Sequence, residues 1–211
     1  MSDKLTDFNH LCYWIGGSPC AGKSSVTNLL AAQFGLAPYH VDDHFNRHVQ
    51  HLDPIRQLAL TRWLAASWNQ RWMQPPDQLL QEVIACYDEH MTLVLEDLAA
   101  SATDAPLLVE GSALIPQRLG EMGVSMNQAI WLVPTADFQW HYYSQRTWIK
   151  EILQQCEDPE RAFANWMGRD THFAQWVSGE AKRLHFPVIT VDGCIPIEKI
   201  ALQVAKHFCL S

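Results

Sequence analysis

The chain has 211 residues and a formal net charge of −8 at pH 7, with 15 Lys and Arg against 23 Asp and Glu. Hydrophobic residues make up 48% of it and charged residues 18%, which excludes a disordered chain and indicates a folded globular protein. The acidic balance excludes a protein that binds nucleic acid or an anionic membrane mainly through its overall field.

Five short apolar runs, each bounded by Gly, Pro or Asp, predict five buried strands. In chain order they are residues 11–15, 37–41, 107–109, 129–133 and 187–191. Longer stretches with helical spacing alternate with these runs, which is the βαβ pattern of a parallel sheet. The sequence therefore predicts an α/β fold, and we expect residues 1–211 to form a single domain.

Two long segments between the strands are predicted to be helical. Residues 43–106 are too many for a plain crossover, and we expect a helical insertion at about 44–105. A second helical block is expected at about 137–183. Each contains an Asp-Pro pair, Asp53-Pro54 and Asp158-Pro159, and this pair is typical of a helix start.

Residues 16–25 read GGSPCAGKSS and contain the pattern G-x-x-x-x-G-K-[ST] of a phosphate-binding loop. Glycines let the backbone curl so that its amides point at phosphate oxygens, and the following helix directs its positive end at the same anion. Lys23 supplies a cation for the outer phosphates, and the Ser24 hydroxyl can ligate Mg²⁺. The pattern follows a predicted strand and precedes a predicted helix, as such a loop requires. The predicted loop residues are Gly17, Ser18, Pro19, Cys20, Ala21, Gly22, Lys23, Ser24 and Ser25.

Carboxylates stand at the ends of the second and third predicted strands. Asp42 and Asp43 follow one, and Glu110 follows the other. The carboxyl ends of parallel strands line one crevice, so these side chains are expected near the loop. The guanine-reading N-K-x-D element of GTPases is missing from the sequence.

The loop, together with the segments YHVDDHF, LLVEG and ITVDG, resembles the nucleoside and nucleotide kinase-like branch of P-loop proteins, which includes uridine, gluconate, shikimate and adenylate kinases. The resemblance implies a three-layer α/β/α fold with strand order 2-3-1-4-5, and ATP and Mg²⁺ as cofactors. It implies that Asp42 accepts the proton of the attacking group, with Asp43 as its neighbour. Glu110 would then support Mg²⁺ through water.

The resemblance also assigns roles to the helical blocks. The block at 44–105 would bind the acceptor, and the block at 137–183 would be a lid whose arginines contact the transferring phosphate, with Arg146 and Arg169 as the best matches. Asp192-Gly193 would pack near adenine. The arginines are dispersed, unlike the compact run of many nucleotide kinases, and the segment between strands two and three matches no known substrate motif.

Several side chains near Asp42 can be interpreted in two ways. Arg47 and His44 would contact an acceptor or belong to a solvated surface, and Asp43 and Glu110 are further candidates for acceptor contacts. A minor hypothesis is a metal site formed by His40, His44, His48 and His51. The nine tryptophans cluster mostly in the helical blocks, where they would pack the core and lid or stack on a ring-bearing substrate.

The function predicted from these patterns is ATP- and Mg²⁺-dependent phosphoryl transfer to a small molecule. The alternatives are a regulatory NTPase without an acceptor and a nucleic-acid-end kinase, which the acidity disfavours. No nucleic-acid or membrane partner is expected, and the protein would be a monomer or homodimer. Six scattered cysteines without a C-x-x-C pair and an acidic start, MSDKLTDFNH, predict a cytoplasmic protein.

Overall fold

The computed structural model describes residues 12–101 and 105–210. Within these ranges one parallel sheet has the strand order β2-β3-β1-β4-β5. Its strands are β1 Cys12–Gly17, β2 Ala37–His40, β3 Leu107–Glu110, β4 Ala129–Pro134 and β5 Val188–Val191. The predicted fold class and strand order are confirmed. Residue 11, predicted as the first residue of β1, lies outside the described residues.

Helices connect the strands and flank the sheet. They are α1 Lys23–Phe34, α2 Val41–Val49, α3 Leu58–Ala65, α4 Trp68–Trp72, α5 Pro76–Ala100, α6 Pro116–Glu121, α7 Ala136–Ser144, α8 Thr147–Leu153, α9 Pro159–Arg183 and α10 Ile197–His207. Helices α2 to α5 lie between β2 and β3, and α7 to α9 lie between β4 and β5. The division into one domain with an insertion and a lid stays a prediction.

Three layers arise because successive strand residues point to opposite faces of the sheet. On one face, Trp14 and Trp131 belong to a buried apolar cluster that includes residues of α5 and α9, such as Val94 and Phe173. On the other face, Ile15 and its strand neighbours pack with residues of α1 and α10. The sheet is thus buried on both sides, and its carboxyl edge remains as the place where loops and helix starts meet.

The two Asp-Pro pairs behave differently. Asp158 Oδ1 accepts a hydrogen bond from the Arg161 amide at 3.0 Å, and α9 begins at Pro159 as predicted. Asp53 Oδ1 instead accepts from the Ile55 amide at 2.9 Å and closes a local turn. The helix start predicted at Asp53-Pro54 is therefore wrong, since α3 begins only at Leu58.

No helix within residues 12–101 and 105–210 is both long enough and apolar enough to cross a bilayer.

Candidate active site

The glycine-rich loop joins β1 to α1 at the carboxyl edge of the sheet. Gly17 has a φ of 130°, and a Cβ there would lie 1.9 Å from the Leu132 carbonyl oxygen. Gly22 has a φ of 78° and is the N-cap of α1, which no side chain caps. Glycine is needed at both positions because an L side chain would be strained or would clash. The first turn of α1 thus keeps its amides available for an anion.

Lys23 is buried beneath this loop. Its Nζ donates to the Ser18 carbonyl oxygen at 3.0 Å and to Ser112 Oγ at 3.1 Å. Burial lowers the pKa of Lys23, while the charges of Glu110 and Asp42 oppose that shift. The ammonium is therefore held by two oxygens in a site that has little water and two nearby carboxylates.

Glu110 gathers two polar side chains around one of its oxygens. Ser24 Oγ donates to Glu110 Oε1 at 2.8 Å, and His40 Nδ1 lies 2.7 Å from the same oxygen. His40 Nε2 lies 3.1 Å from Asn28 Oδ1. A hydroxyl and a carboxylate this close together, beside a phosphate loop, form a donor set of hard oxygens that fits Mg²⁺.

Asp42 and Asp43 lie in the first turn of α2, because the helix begins at Val41 directly after β2. The Asp42 side chain is exposed to solvent where it borders the cleft. The protein atoms packed around it still remove part of its hydration, and this desolvation raises the pKa of its carboxyl. The positive charge of Lys23 opposes this shift, and the negative charges of Glu110 and Asp43 reinforce it. Asp42 is thus more basic than an ordinary aspartate and is coupled to the lysine of the loop.

Two cavities adjoin the loop. The first, which we call the loop cavity, has about 600 Å³ and is lined by Cys20, Gly22, Phe138, Tyr142, Arg146 and Gly193, among others. The second, the tryptophan cavity, has about 420 Å³ and is lined by Pro19, Asp42, Arg169 and five indole rings: Trp63, Trp68, Trp72, Trp148 and Trp166. A third cavity of about 650 Å³, bounded mainly by α3, α4 and α5, contains no loop residue.

The segment after β5 forms one side of the loop cavity. Asp192 Oδ1 accepts a hydrogen bond from the Cys194 amide at 2.9 Å and holds a tight turn. Gly193, in this turn, has a φ of 87°, and a Cβ there would lie 2.9 Å from Phe138 Cε2. Glycine lets the turn approach the phenyl ring closely. The cavity therefore has aromatic surface on one side and loop backbone on the other.

The two predicted lid arginines lie in different surroundings. Arg146 lines the loop cavity, and its guanidinium lies 5.0 Å from the ring centre of Tyr143. Arg169 is buried, and its Nε and Nη2 contact Asp170 Oδ1 at 2.7 and 2.6 Å. Of these two arginines, only Arg169 has a carboxylate partner among the described contacts. Arg146 borders the loop cavity without one. The predicted phosphate contact of Arg169 stays a prediction.

Arg47 and His44, the predicted acceptor contacts near α2, are in the described lining of neither cavity beside the loop. Arg47 pairs with Asp97 and lies 3.0 Å from His44 Nδ1, while the His44 ring stacks on Tyr39 at 4.2 Å. His48 Nδ1 lies 3.0 Å from Nε2 of His90, which is on α5. Of the four histidines of the metal hypothesis, His44 and His48 stack with ring centroids 6.1 Å apart, whereas His40 contacts Glu110. No group of three or more metal-ligating side chains occurs in the part of the chain that the structure describes.

Some residues that contact the phosphate loop belong to no motif that the sequence shows. Gln139 Nε2, on α7, donates to Ser18 Oγ at 3.0 Å and to the Pro19 carbonyl oxygen at 2.9 Å. Ser18 Oγ also lies 3.4 Å from the Asp170 carbonyl oxygen. The loop is therefore held by helices that lie more than a hundred residues away in the chain. Ser112 was missed as well, although it follows the LLVEG segment directly.

Comparisons with known proteins give similarity in fold alone. No protein-family model and no curated protein sequence matches the chain. A shikimate kinase from Acinetobacter baumannii, solved in complex with shikimate, is 16% identical over 96% of this chain and 95% of its own, with a TM-score of 0.48. A "putative kinase" from Chloroflexus aurantiacus is 15% identical over 93% and 98%, with a TM-score of 0.41. The P-loop kinase-like fold rests on the strand order and loop geometry described above.

Proposed function

We propose that the protein is a small-molecule kinase that uses ATP and Mg²⁺ and transfers the γ-phosphoryl group to an acceptor in the tryptophan cavity. One observation carries this proposal: the loop borders both cavities, with Cys20 and Gly22 on one and Pro19 on the other. A phosphotransferase needs a donor site and an acceptor site on either side of the phosphate loop. A regulatory NTPase needs no second site.

The loop cavity has the features of a donor site. Loop amides and Lys23 would hold the phosphates, while Phe138 and Tyr142 offer ring faces to a base. Ser24 would hold Mg²⁺ directly and Glu110 through water, and the ion when bound neutralises charge on the phosphate oxygens. Arg146 extends from the lid toward this cavity and would stabilise charge that develops on the transferring group.

The acceptor side is served by Asp42. Its carboxylate lines the tryptophan cavity and is coupled to Lys23, so a hydroxyl bound there would lie between a base and the phosphate loop. The raised pKa makes Asp42 a better proton acceptor than an ordinary aspartate. Asp43 is exposed and does not line this cavity. Asp42 is therefore assigned as the general base and Asp43 as its neighbour.

The test compares Asp42→Asn with Asp43→Asn, because the two residues are adjacent in the same helical turn. We expect Asp42→Asn to retain ATP affinity and to lose about 10²–10⁴-fold in acceptor-dependent ADP release. Asp43→Asn should stay within a few-fold of the wild type. ATP hydrolysis that no acceptor in a broad panel stimulates, in a protein that binds ATP tightly, would favour the regulatory NTPase instead.

A further inference from the structure

The walls of the tryptophan cavity are mostly aromatic. Trp72 and Trp166 stack in parallel, with ring centroids 3.8 Å apart and an interplanar angle of 2°, and Trp148 meets Trp166 edge-on at 5.9 Å. Trp63 and Trp68 add two further indoles, and the Arg71 guanidinium, which does not line the cavity, lies 4.3 and 4.7 Å from their ring centres. The volume of about 420 Å³ falls in the range of sites for small organic ligands. Five indole rings around a space of this size suit a ring-bearing ligand.

The same cavity offers no unpaired cation among the described residues that line it. Asp42 and Arg169 are its two formally charged members. Arg169 is paired with Asp170, whose other oxygen accepts a hydrogen bond from Trp166 Nε1 at 3.2 Å. His90, which also lines the cavity, is neutral near pH 7 because burial lowers its pKa to about 4. With Arg169 neutralised by its pair with Asp170, Asp42 is the remaining charged side chain among the described residues that line the cavity.

These charges oppose an anionic acceptor. A carboxylate or phosphate entering the cavity would lose its hydration without gaining an ion pair from a side chain that lines it, and Asp42 would repel it. Arg169 cannot compensate without abandoning Asp170, which would leave a buried carboxylate unpaired. An uncharged ring meets none of these costs, and it gains from the burial of apolar area and from contacts with the indole faces.

We propose that the acceptor is an uncharged, ring-bearing alcohol or phenol, bound by the tryptophan cavity with its hydroxyl at Asp42. This inference rests on the proposed kinase function and names the substrate class for it. In the transfer, the acceptor oxygen forms a bond to the γ-phosphorus, and the bond from that phosphorus to the β–γ bridging oxygen breaks with its electrons remaining on ADP. The hydroxyl proton goes to the Asp42 carboxylate.

Matched pairs of probes test the charge preference by calorimetric titration and by ADP release. Each pair keeps the ring and a hydroxyl and adds one anionic group: 2-phenylethanol against 3-phenyllactate, and thymidine against thymidine 3′-monophosphate. The first pair represents aromatic alcohols and the second pair represents nucleosides. Comparison of the two pairs therefore shows which of these two kinds of ring-bearing alcohol the cavity prefers. At least one neutral probe should bind about tenfold or more tightly than its charged partner and stimulate ADP release more strongly.

The inference is overturned if no neutral probe binds, or if the charged probe binds as tightly in both pairs. Shikimate, a ring with a carboxylate, should not be phosphorylated, and its phosphorylation would count against the inference. These results are separable from failure of the proposed function. A protein that binds ATP and phosphorylates charged acceptors remains a kinase with another substrate class, whereas a protein that does not bind ATP is not a kinase.

A matched pair of surface tryptophans tests the role of the walls. Trp148 and Trp140 both lie in the helices between β4 and β5 and are 44% and 48% exposed, so neither substitution should prevent folding. Trp148 lines the tryptophan cavity, whereas Trp140 packs on Phe163 outside its lining. Trp148→Ala should raise the KM for the neutral probe about tenfold with little change in kcat, and Trp140→Ala should change neither. Equal effects of the two substitutions contradict the proposal.

Discussion

The loop cavity and the tryptophan cavity border the same phosphate loop but are built in different ways. Short, locally determined segments, the loop and the turn at Gly193, shape the first, together with α7. Side chains from helices between β2 and β3 and between β4 and β5 line the second. Under the proposed function, the first cavity would bind phosphates, which backbone amides can hold, and the second would bind an acceptor, which side chains must recognise. A local motif therefore describes one cavity, and only tertiary packing describes the other.

The largest effect is expected on the tryptophan cavity, from Arg169→Ala. This substitution leaves the buried Asp170 carboxylate without its cation and removes a guanidinium that lies 4.8 Å from the ring centre of Trp72. We expect a loss of about 3–5 kcal/mol in the free energy of unfolding, measured by denaturant titration. Arg161→Ala, an exposed arginine of the same helix, is the control. A stable Arg169→Ala protein would show that the wall does not depend on this pair.

Lys23→Ala, at the loop cavity, should affect turnover more than stability. Turnover should fall by at least about 10²-fold, because the lysine is the cation anchored beneath the loop. Stability should fall less than in Arg169→Ala, since burial, which lowers the pKa of Lys23, offsets part of what its hydrogen bonds and nearby carboxylates contribute. ATP binding, ADP release and thermal unfolding measure these effects, with the exposed Lys150→Ala as control. Unchanged ATP affinity and turnover would contradict the assignment of the loop.

The sequence predicts the loop cavity better than the tryptophan cavity for a physical reason. Positions such as Gly17 and Gly22 need positive φ angles, and this local requirement is visible in the residues themselves. The strand order followed from a resemblance to a fold, and the sheet confirms it. Phe138 and Tyr142 were missed because aromatic residues in a helix look the same whether they line a cavity or pack in a core.

The tryptophan cavity was only partly predictable. Stacking on a ring was one of two readings for the tryptophans, but no pattern showed which of them would meet. The pairing of Arg169 with Asp170 was also missed, although the two are adjacent in sequence. Its effect depends on burial, which only the packing of α9 creates. Asp53 shows the same limit, since its carboxyl closes a turn where a helix was expected.

A smaller effect should separate Arg146 from Arg169, the two arginines predicted to belong to a lid. Arg146 lines the loop cavity, so Arg146→Ala should lower kcat roughly 10–100-fold with a smaller change in KM, as expected for a contact made mainly in the transition state. The free energy of unfolding should change little, in contrast to Arg169→Ala. Steady-state kinetics and denaturant titration on both variants decide the matter. A wild-type kcat in Arg146→Ala would contradict the predicted role of Arg146 in stabilising the transferring phosphoryl group.

The smallest effect concerns acid sensitivity in the wall of the tryptophan cavity. His90 is buried, its Nε2 lies 3.0 Å from His48 Nδ1, and burial lowers its pKa to about 4. A histidine whose pKa is lower in the folded than in the unfolded state contributes stability above its unfolded pKa and loses it as the pH falls. Between about pH 6.5 and pH 4, His90 is therefore protonated in the unfolded protein but remains neutral in the folded protein.

This difference should cost about 2 kcal/mol of stability between pH 7 and pH 5. His90→Gln keeps a polar partner for His48 and removes the titrating ring, so its stability should fall less over this interval. Thermal unfolding at both pH values measures the effect, and the exposed His51→Gln should behave as the wild type. The loop cavity has no histidine among its described lining residues, so ATP affinity should change equally with pH in all three proteins. An unchanged pH dependence of unfolding in His90→Gln would show that acid acts elsewhere in the molecule.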